Sequence, residues 1–148
     1  MKTNSSLMTV LKNPAWICFI WFGMTAGVSL LATPVRFTAE TITRPVALDV
    51  GRVVFTALNK AEFIALIILL IIVRISPRAR EHWMFAFGLA LILLAQAAWL
   101  IPELSARTDI VISGGEPPPS IAHGTYSTLE LIKLVLLGWL GMISLRKK

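Results

Sequence analysis

Residues 53–73 read VVFTALNKAEFIALIILLIIV. At 1.5 Å per residue this run is long enough to cross a hydrocarbon core of about 30 Å. Two opposite charges, Lys60 and Glu62, stand inside it beside Asn59, where apolar side chains are expected. A span that carries charges at that depth is tolerated when they are paired, neutralised or turned to a wet cavity, because each costs about 2.5–3.5 kcal/mol near the centre. The stretch therefore fixes two things together: the chain crosses a membrane, and other spans must supply partners for its charges.

Three further runs qualify as spans, residues 14–33, 83–101 and 126–145. With 56% hydrophobic and 15% charged residues in a chain of 148, the composition lies outside the range of a soluble domain. The expected fold is an all-α, four-transmembrane-helix bundle forming a single domain over residues 1–148, with no room for a soluble domain. No small-residue cleavage site follows the first run, so it is read as a retained span and not as a signal peptide. One cysteine, Cys18, leaves no internal disulfide and no Cys-x-x-Cys metal or redox motif.

The net charge of +6 does not form a patch interleaved with aromatics, so no nucleic-acid partner is expected. The basic residues bracket the spans instead. Lys2, Lys12, Arg74, Arg78, Arg80, Arg146, Lys147 and Lys148 fall on one side; Arg36, Arg44, Arg52 and Arg107 fall on the other. This asymmetry predicts a multi-pass protein of the cell membrane with both termini cytoplasmic. Between the first two spans, Pro34 to Arg52 alternates charged and apolar residues, which predicts a short amphipathic segment lying in the outer interface. Pro102 to Ser120, with its GGEPPPS stretch at residues 114–120, reads as a second outer loop.

Depth can be counted along each span from its cytoplasmic basic residue. Glu62 and Lys60 lie 12 and 14 residues from Arg74, Gln96 lies 14 from His82, and Lys133 and Glu130 lie 13 and 16 from Arg146. All fall about 18–24 Å up, in the outer half of the bilayer. Asn59, Lys60, Glu62, Gln96, Glu130 and Lys133 thus form one candidate ligand- or ion-binding belt. Lys60 and Glu62 are two residues apart and point to opposite sides of a helix, so at most one faces the centre, and Glu62 is the expected one. Lys133 is placed to pair with Glu130 at i, i+3, which leaves Glu62 to Lys60 across the bundle or to a proton. His123, Ser127 and Glu130, at i, i+4 and i+7, predict a face leading inward from the outer interface, as a proton or cation path needs.

Gly23 and Gly27 make a G-x-x-x-G pair in the first span. The pair serves packing within the chain, or offers a face for a homodimer or for a partner in a membrane complex.

Trp21-Phe22-Gly23 with Ala32-Thr33-Pro34-Val35-Arg36-Phe37, Gly51-Arg52-Val53-Val54-Phe55, and His123-Gly124-Thr125-Tyr126-Ser127-Thr128-Leu129-Glu130 resemble a family of small four-span proteins grouped as a domain of unknown function. More remotely, the outline is similar to the membrane domain of CopD-type copper-resistance proteins. The resemblance implies a four-helix bundle of unassigned role, and its copper branch would make His123 a ligand candidate, with His82 on the opposite membrane face.

Three function classes follow. The leading expectation is a non-enzymatic membrane protein whose belt binds or passes a small ion, a proton or a polar solute. The alternative is an accessory or assembly subunit in which the belt is a structural ion-pair network. A membrane enzyme has least support, since no nucleophile-histidine-acid set, metal cluster or phosphate-binding glycine loop is present. No cofactor and no metal site are expected.

Overall fold

The computed structural model describes residues 10–76 and 79–146. Lys2, Arg78, Lys147 and Lys148, counted in the charge asymmetry, lie outside the described residues. Four helices are long and apolar enough to cross a membrane: α1, Ala15–Arg36; α2, Arg44–Arg74; α3, Arg80–Ile112; and α4, Ala122–Leu145. The chain is an all-α, four-helix, multi-pass membrane protein. The helices alternate in direction, and α1 packs on α2 and α4 while α3 packs on α2 and α4, so the bundle is a closed square. The end where α1 begins and α4 ends is called basal below, and the opposite end distal.

Local chemistry explains the boundaries. The Asn13 side chain accepts a hydrogen bond from the Ala15 N–H at 2.9 Å, capping α1. At the start of α2, Thr43 is extended and Pro45 occupies the first turn, where its missing N–H costs nothing. After α3, Gly114 adopts φ +85° in the turn that stops the helix.

The outer faces of the helices are apolar and exposed, among them Val53, Ile64, Ile67 and Ile71 on α2 and Val135 and Met142 on α4. In a bilayer these residues meet lipid. The buried interior falls into two unequal cores. The basal core is built from thirteen buried residues, including Trp21, Leu69, Val73, Leu89, Leu93, Leu137 and Leu140. The distal core holds only Leu100, Ala122 and Tyr126, with Phe55, Ile101, Leu104 and Leu129 packed around them.

Helices α1 and α3 run past their expected ends for one shared reason. Residues 27–32 of α1 and 96–100 of α3 are wide π turns. Each is followed two residues later by a proline, Pro34 or Pro102. A proline cannot donate to the carbonyl four residues back and its ring crowds it, so an α-helix would break there. The widened turn removes the conflict: Thr33 N–H donates to Val28 O, and Ile101 N–H to Gln96 O, each five residues back. The helix then continues through the proline. Hence residues 102–112, expected as loop, extend α3 to Ile112. The separate amphipathic segment expected between the first two spans is likewise absent. Arg36 ends α1, and residues 44–52 are the first turns of α2, because nothing after Pro45 interrupts the helix.

The distal ends of α2 and α3 pack on each other. With 31 residues, α2 measures about 46 Å, which exceeds the hydrocarbon thickness by about 15 Å. Its projecting turns are tied to α3 by Arg52, which bonds Asp49 on its own helix and Asp109 on α3. The Arg36 guanidinium lies flat against Gly51, where a Cβ would stand 2.7–3.0 Å from its atoms. At the basal end, His82 is buried between Ser76, at 2.9 Å, and Ser144, at 3.4 Å.

Gly23 and Gly27 do not serve packing within the described chain: a Cβ at either position would meet nothing within 4 Å.

Candidate functional site

At the level of the π turns the four helices converge on one buried polar cluster. α2 contributes Glu62, α3 Gln96 and α4 Glu130 and Lys133; Glu62, Gln96 and Lys133 are fully buried and Glu130 is 3% exposed. The Lys133 ammonium is the hub. It donates to Glu62 Oε2 at 2.8 Å, to Glu130 Oε1 at 2.6 Å and to Gln96 Oε1 at 3.1 Å. An ammonium has three protons, and here each has its own acceptor. Gln96 Nε2 in turn donates to Glu130 Oε1 at 2.8 Å, closing a ring.

The first helix completes the shell. Trp21 Nε1 and Thr25 Oγ1 donate to Glu62 Oε1 at 3.0 and 2.7 Å, and Ser29 Oγ donates to Glu130 Oε2 at 2.6 Å. Trp21, Thr25 and Ser29 follow at four-residue steps and so lie on one face of α1. The π turn that begins at Gly27 adds a residue's width of rotation between Thr25 and Ser29, and these two hydroxyls bond different carboxylates. The other π turn opens at Gln96 itself.

Depth counting brought Glu62, Gln96, Glu130 and Lys133 to one level, and the structure places them in contact. Asn59 is buried, one turn distal of Glu62, without touching the cluster through a hydrogen bond. Lys60 is not part of the assembly: it is exposed on the lateral surface, as its position two residues from the buried Glu62 requires. Lys133 takes its place as the partner of Glu62. The expected inward path along His123 and Ser127 is also corrected, since both are exposed. Lys133 and Glu130 together define the inward stripe of α4, which runs Ala122, Tyr126, Glu130, Lys133, Leu137, Leu140. Ser127 lies about 120° around the helix from Lys133 at 100° per residue, so the two cannot share that stripe. His123 sits in the first turn at the distal rim.

Four contributors were not foreseen. Trp21, Thr25 and Ser29 are ordinary residues for a membrane helix, and only their common spacing sets them apart. Tyr126 is one turn distal of Glu130 and 4% exposed, and its ring meets Phe55 edge-on at 5.3 Å.

The cluster is enclosed. Its basal side is sealed by the larger core, and every buried side-chain atom of Trp21, Thr25, Glu62, Gln96, Glu130 and Lys133 has a partner. A shallow depression lined by Ser120, Ile121, Gly124 and Thr125 lies at the distal rim without reaching these residues. Among the described residues no group of three His, Cys, Asp or Glu is close enough to hold a metal ion, and His123 stands apart from the cluster. The charges do not balance. Two carboxylates face one ammonium, and among the described residues Lys133 is the one cation in contact with either.

Comparisons with family models, with curated proteins and with solved structures returned no match.

Proposed function

We propose that this membrane protein binds a small monovalent cation, the proton included, at the Glu62–Lys133–Glu130 cluster. The charge count carries the reading. A carboxylate pair sealed in a bilayer with a single ammonium leaves one negative charge over, and such a charge is strongly unfavourable in that medium unless a counter-charge joins it. The arrangement supports reversible occupancy, because donors on the protein, Trp21 and Thr25 to Glu62 and Gln96 and Ser29 to Glu130, hold the carboxylates in place whether or not the counter-charge is present. With the basal end in the cytoplasm, as the excess of Lys and Arg favours, the thin distal core puts the site nearer to the outer face.

The test compares thermal unfolding of wild type and Glu130→Gln in detergent or nanodiscs across pH and across Na+, K+ and Li+ concentrations. A ligand that binds only the folded state raises Tm by mass action. Wild type should be stabilised by rising proton or cation activity, and Glu130→Gln, whose cluster is neutral, should lose that dependence while still folding. Identical profiles for the two proteins would refute the reading.

A second reading has its own observation. Gly23 and Gly27 are open to an approaching helix, which fits a homodimer or an accessory subunit of a larger membrane complex, with the cluster as a structural ion-pair network. Under it, mild-detergent purification retains a stoichiometric partner or a dimer that Gly23→Leu abolishes. A monomer insensitive to that change counts against it.

A further inference from the structure

Two polar groups immediately distal of the cluster have no partner. Asn59 Nδ2 is buried and donates no hydrogen bond, and the buried Tyr126 hydroxyl, though turned towards the Glu130 carboxylate, makes no hydrogen bond of good geometry to it; the two residues are 6% and 4% exposed. An orphaned buried amide or hydroxyl costs about 1–3 kcal/mol, so each calls for an occupant. They belong to one place. Phe55, one turn distal of Asn59 on α2, is the residue whose ring touches Tyr126, and Tyr126 has the carboxylates of Glu130 and Glu62 as its charged neighbours.

Glu130 offers the third partner. Its Oε1 accepts from Lys133 and Gln96, which uses both lone pairs, whereas Oε2 accepts from Ser29 alone and keeps one free. The groups facing this place are the Asn59 amide and Glu62 on α2, Tyr126, Glu130 and Lys133 on α4, Gln96 on α3 and Ser29 on α1.

We infer that Asn59, Tyr126 and Glu130 hold a buried water molecule, through which the cluster exchanges its counter-charge with the distal aqueous phase. Asn59 Nδ2 donates to the water oxygen, the Tyr126 hydroxyl makes the second bond, and the water donates to Glu130 Oε2. Three polar partners are the usual number for an internal water. The site is covered on the distal side by the small core around Leu100 and Ala122, with Phe55, Ile101, Leu104 and Leu129 packed against it, whereas the larger core lies between the cluster and the basal face. Exchange is therefore distal. That second half rests on the cation-binding reading above; the water itself does not.

Tyr126 is the protein's sole tyrosine, so a tyrosine label reports this place without any substitution. The protein is prepared with 13C at the tyrosine ring carbon bearing the hydroxyl, reconstituted in lipid and studied by water-edited solid-state NMR. Wild type should show magnetisation passing from water to the Tyr126 carbon, and Asn59→Leu should lose it. Absence of transfer in wild type overturns the proposal without reference to any variant. So does a Tyr126 resonance that moves with added Na+ or Li+ at constant pH while receiving no transfer, which would make the occupant a metal cation. If transfer is present but the unfolding profiles of wild type and Glu130→Gln coincide, the water stands and the cation-binding reading falls. To test the direction of exchange, a membrane-impermeant paramagnetic chelate is added to one side of sealed vesicles. Relaxation of the Tyr126 signal should be stronger from the distal side, and equal effects from both sides would overturn the distal route.

Discussion

Replacing Lys133 by Met isolates the central electrostatic claim. Methionine keeps the length and most of the volume of the lysine stem, so packing against the basal core changes little. What goes is an ammonium bonded to Glu62 at 2.8 Å, Glu130 at 2.6 Å and Gln96 at 3.1 Å. Glu62 keeps Trp21 and Thr25 as donors, and Glu130 keeps Gln96 and Ser29. Neither keeps a cation. Breaking a buried ion pair from one side costs about 3–5 kcal/mol, a large part of a domain's total stability of about 5–15 kcal/mol. Lys133→Met should therefore unfold at much lower denaturant or temperature than wild type, measured by reversible unfolding in bicelles. The same substitution combined with Glu62→Gln and Glu130→Gln removes every charge while leaving amides that still accept the donors of α1. That triple variant should recover to within about 1 kcal/mol of wild type, since a neutral, hydrogen-bonded replacement of a buried ion cluster is commonly neutral. A Lys133→Met protein as stable as wild type, or a triple variant no better than the single one, would refute the reasoning.

Three smaller perturbations probe the surroundings. Ser29→Ala removes the 2.6 Å bond to Glu130 and should cost about 1.5–3 kcal/mol in the same unfolding assay, as for a hydrogen bond to a charged group. Lys60→Leu should leave the folded stability almost unchanged, because Lys60 is exposed, while improving insertion of residues 53–73 in a translocon assay by about 3 kcal/mol; a strongly destabilised protein would mean that Lys60 has a partner. Gly51→Ala pushes a Cβ against the Arg36 guanidinium and should cost about 1 kcal/mol. Arg36→Ala should relieve that cost, which a double-mutant cycle measures.

The four spans and the depth of the cluster could be read from the sequence because both depend on one regularity, the 1.5 Å rise per residue. Counting from the terminal basic residues puts Glu62, Gln96, Glu130 and Lys133 at one height whatever their neighbours. Rotation around each helix axis is harder to read. On α2 the two charges are two residues apart, so one had to face outward. On α4 the choice lay between stripes only some tens of degrees apart, and an i, i+4, i+7 reading through His123 and Ser127 picked the wrong one. The long helices were hidden by their prolines. Pro34 and Pro102 normally end a helix, and the five-residue hydrogen bonds that carry α1 and α3 past them leave no signature in composition.

The helices that meet at the cluster are not made at the same time. Glu62 and Lys133 are 71 residues apart in the chain, and at about 5–20 residues per second a ribosome needs about 4–14 s to go from one to the other. During that interval α2 sits in the membrane with its acid but without its cation. Trp21 and Thr25 already exist, on α1, and both donate to the same Glu62 oxygen. The first helix thus offers Glu62 two donors before the fourth is made, and variants lacking both donors should be lost to quality control during synthesis before any defect in the finished protein is seen.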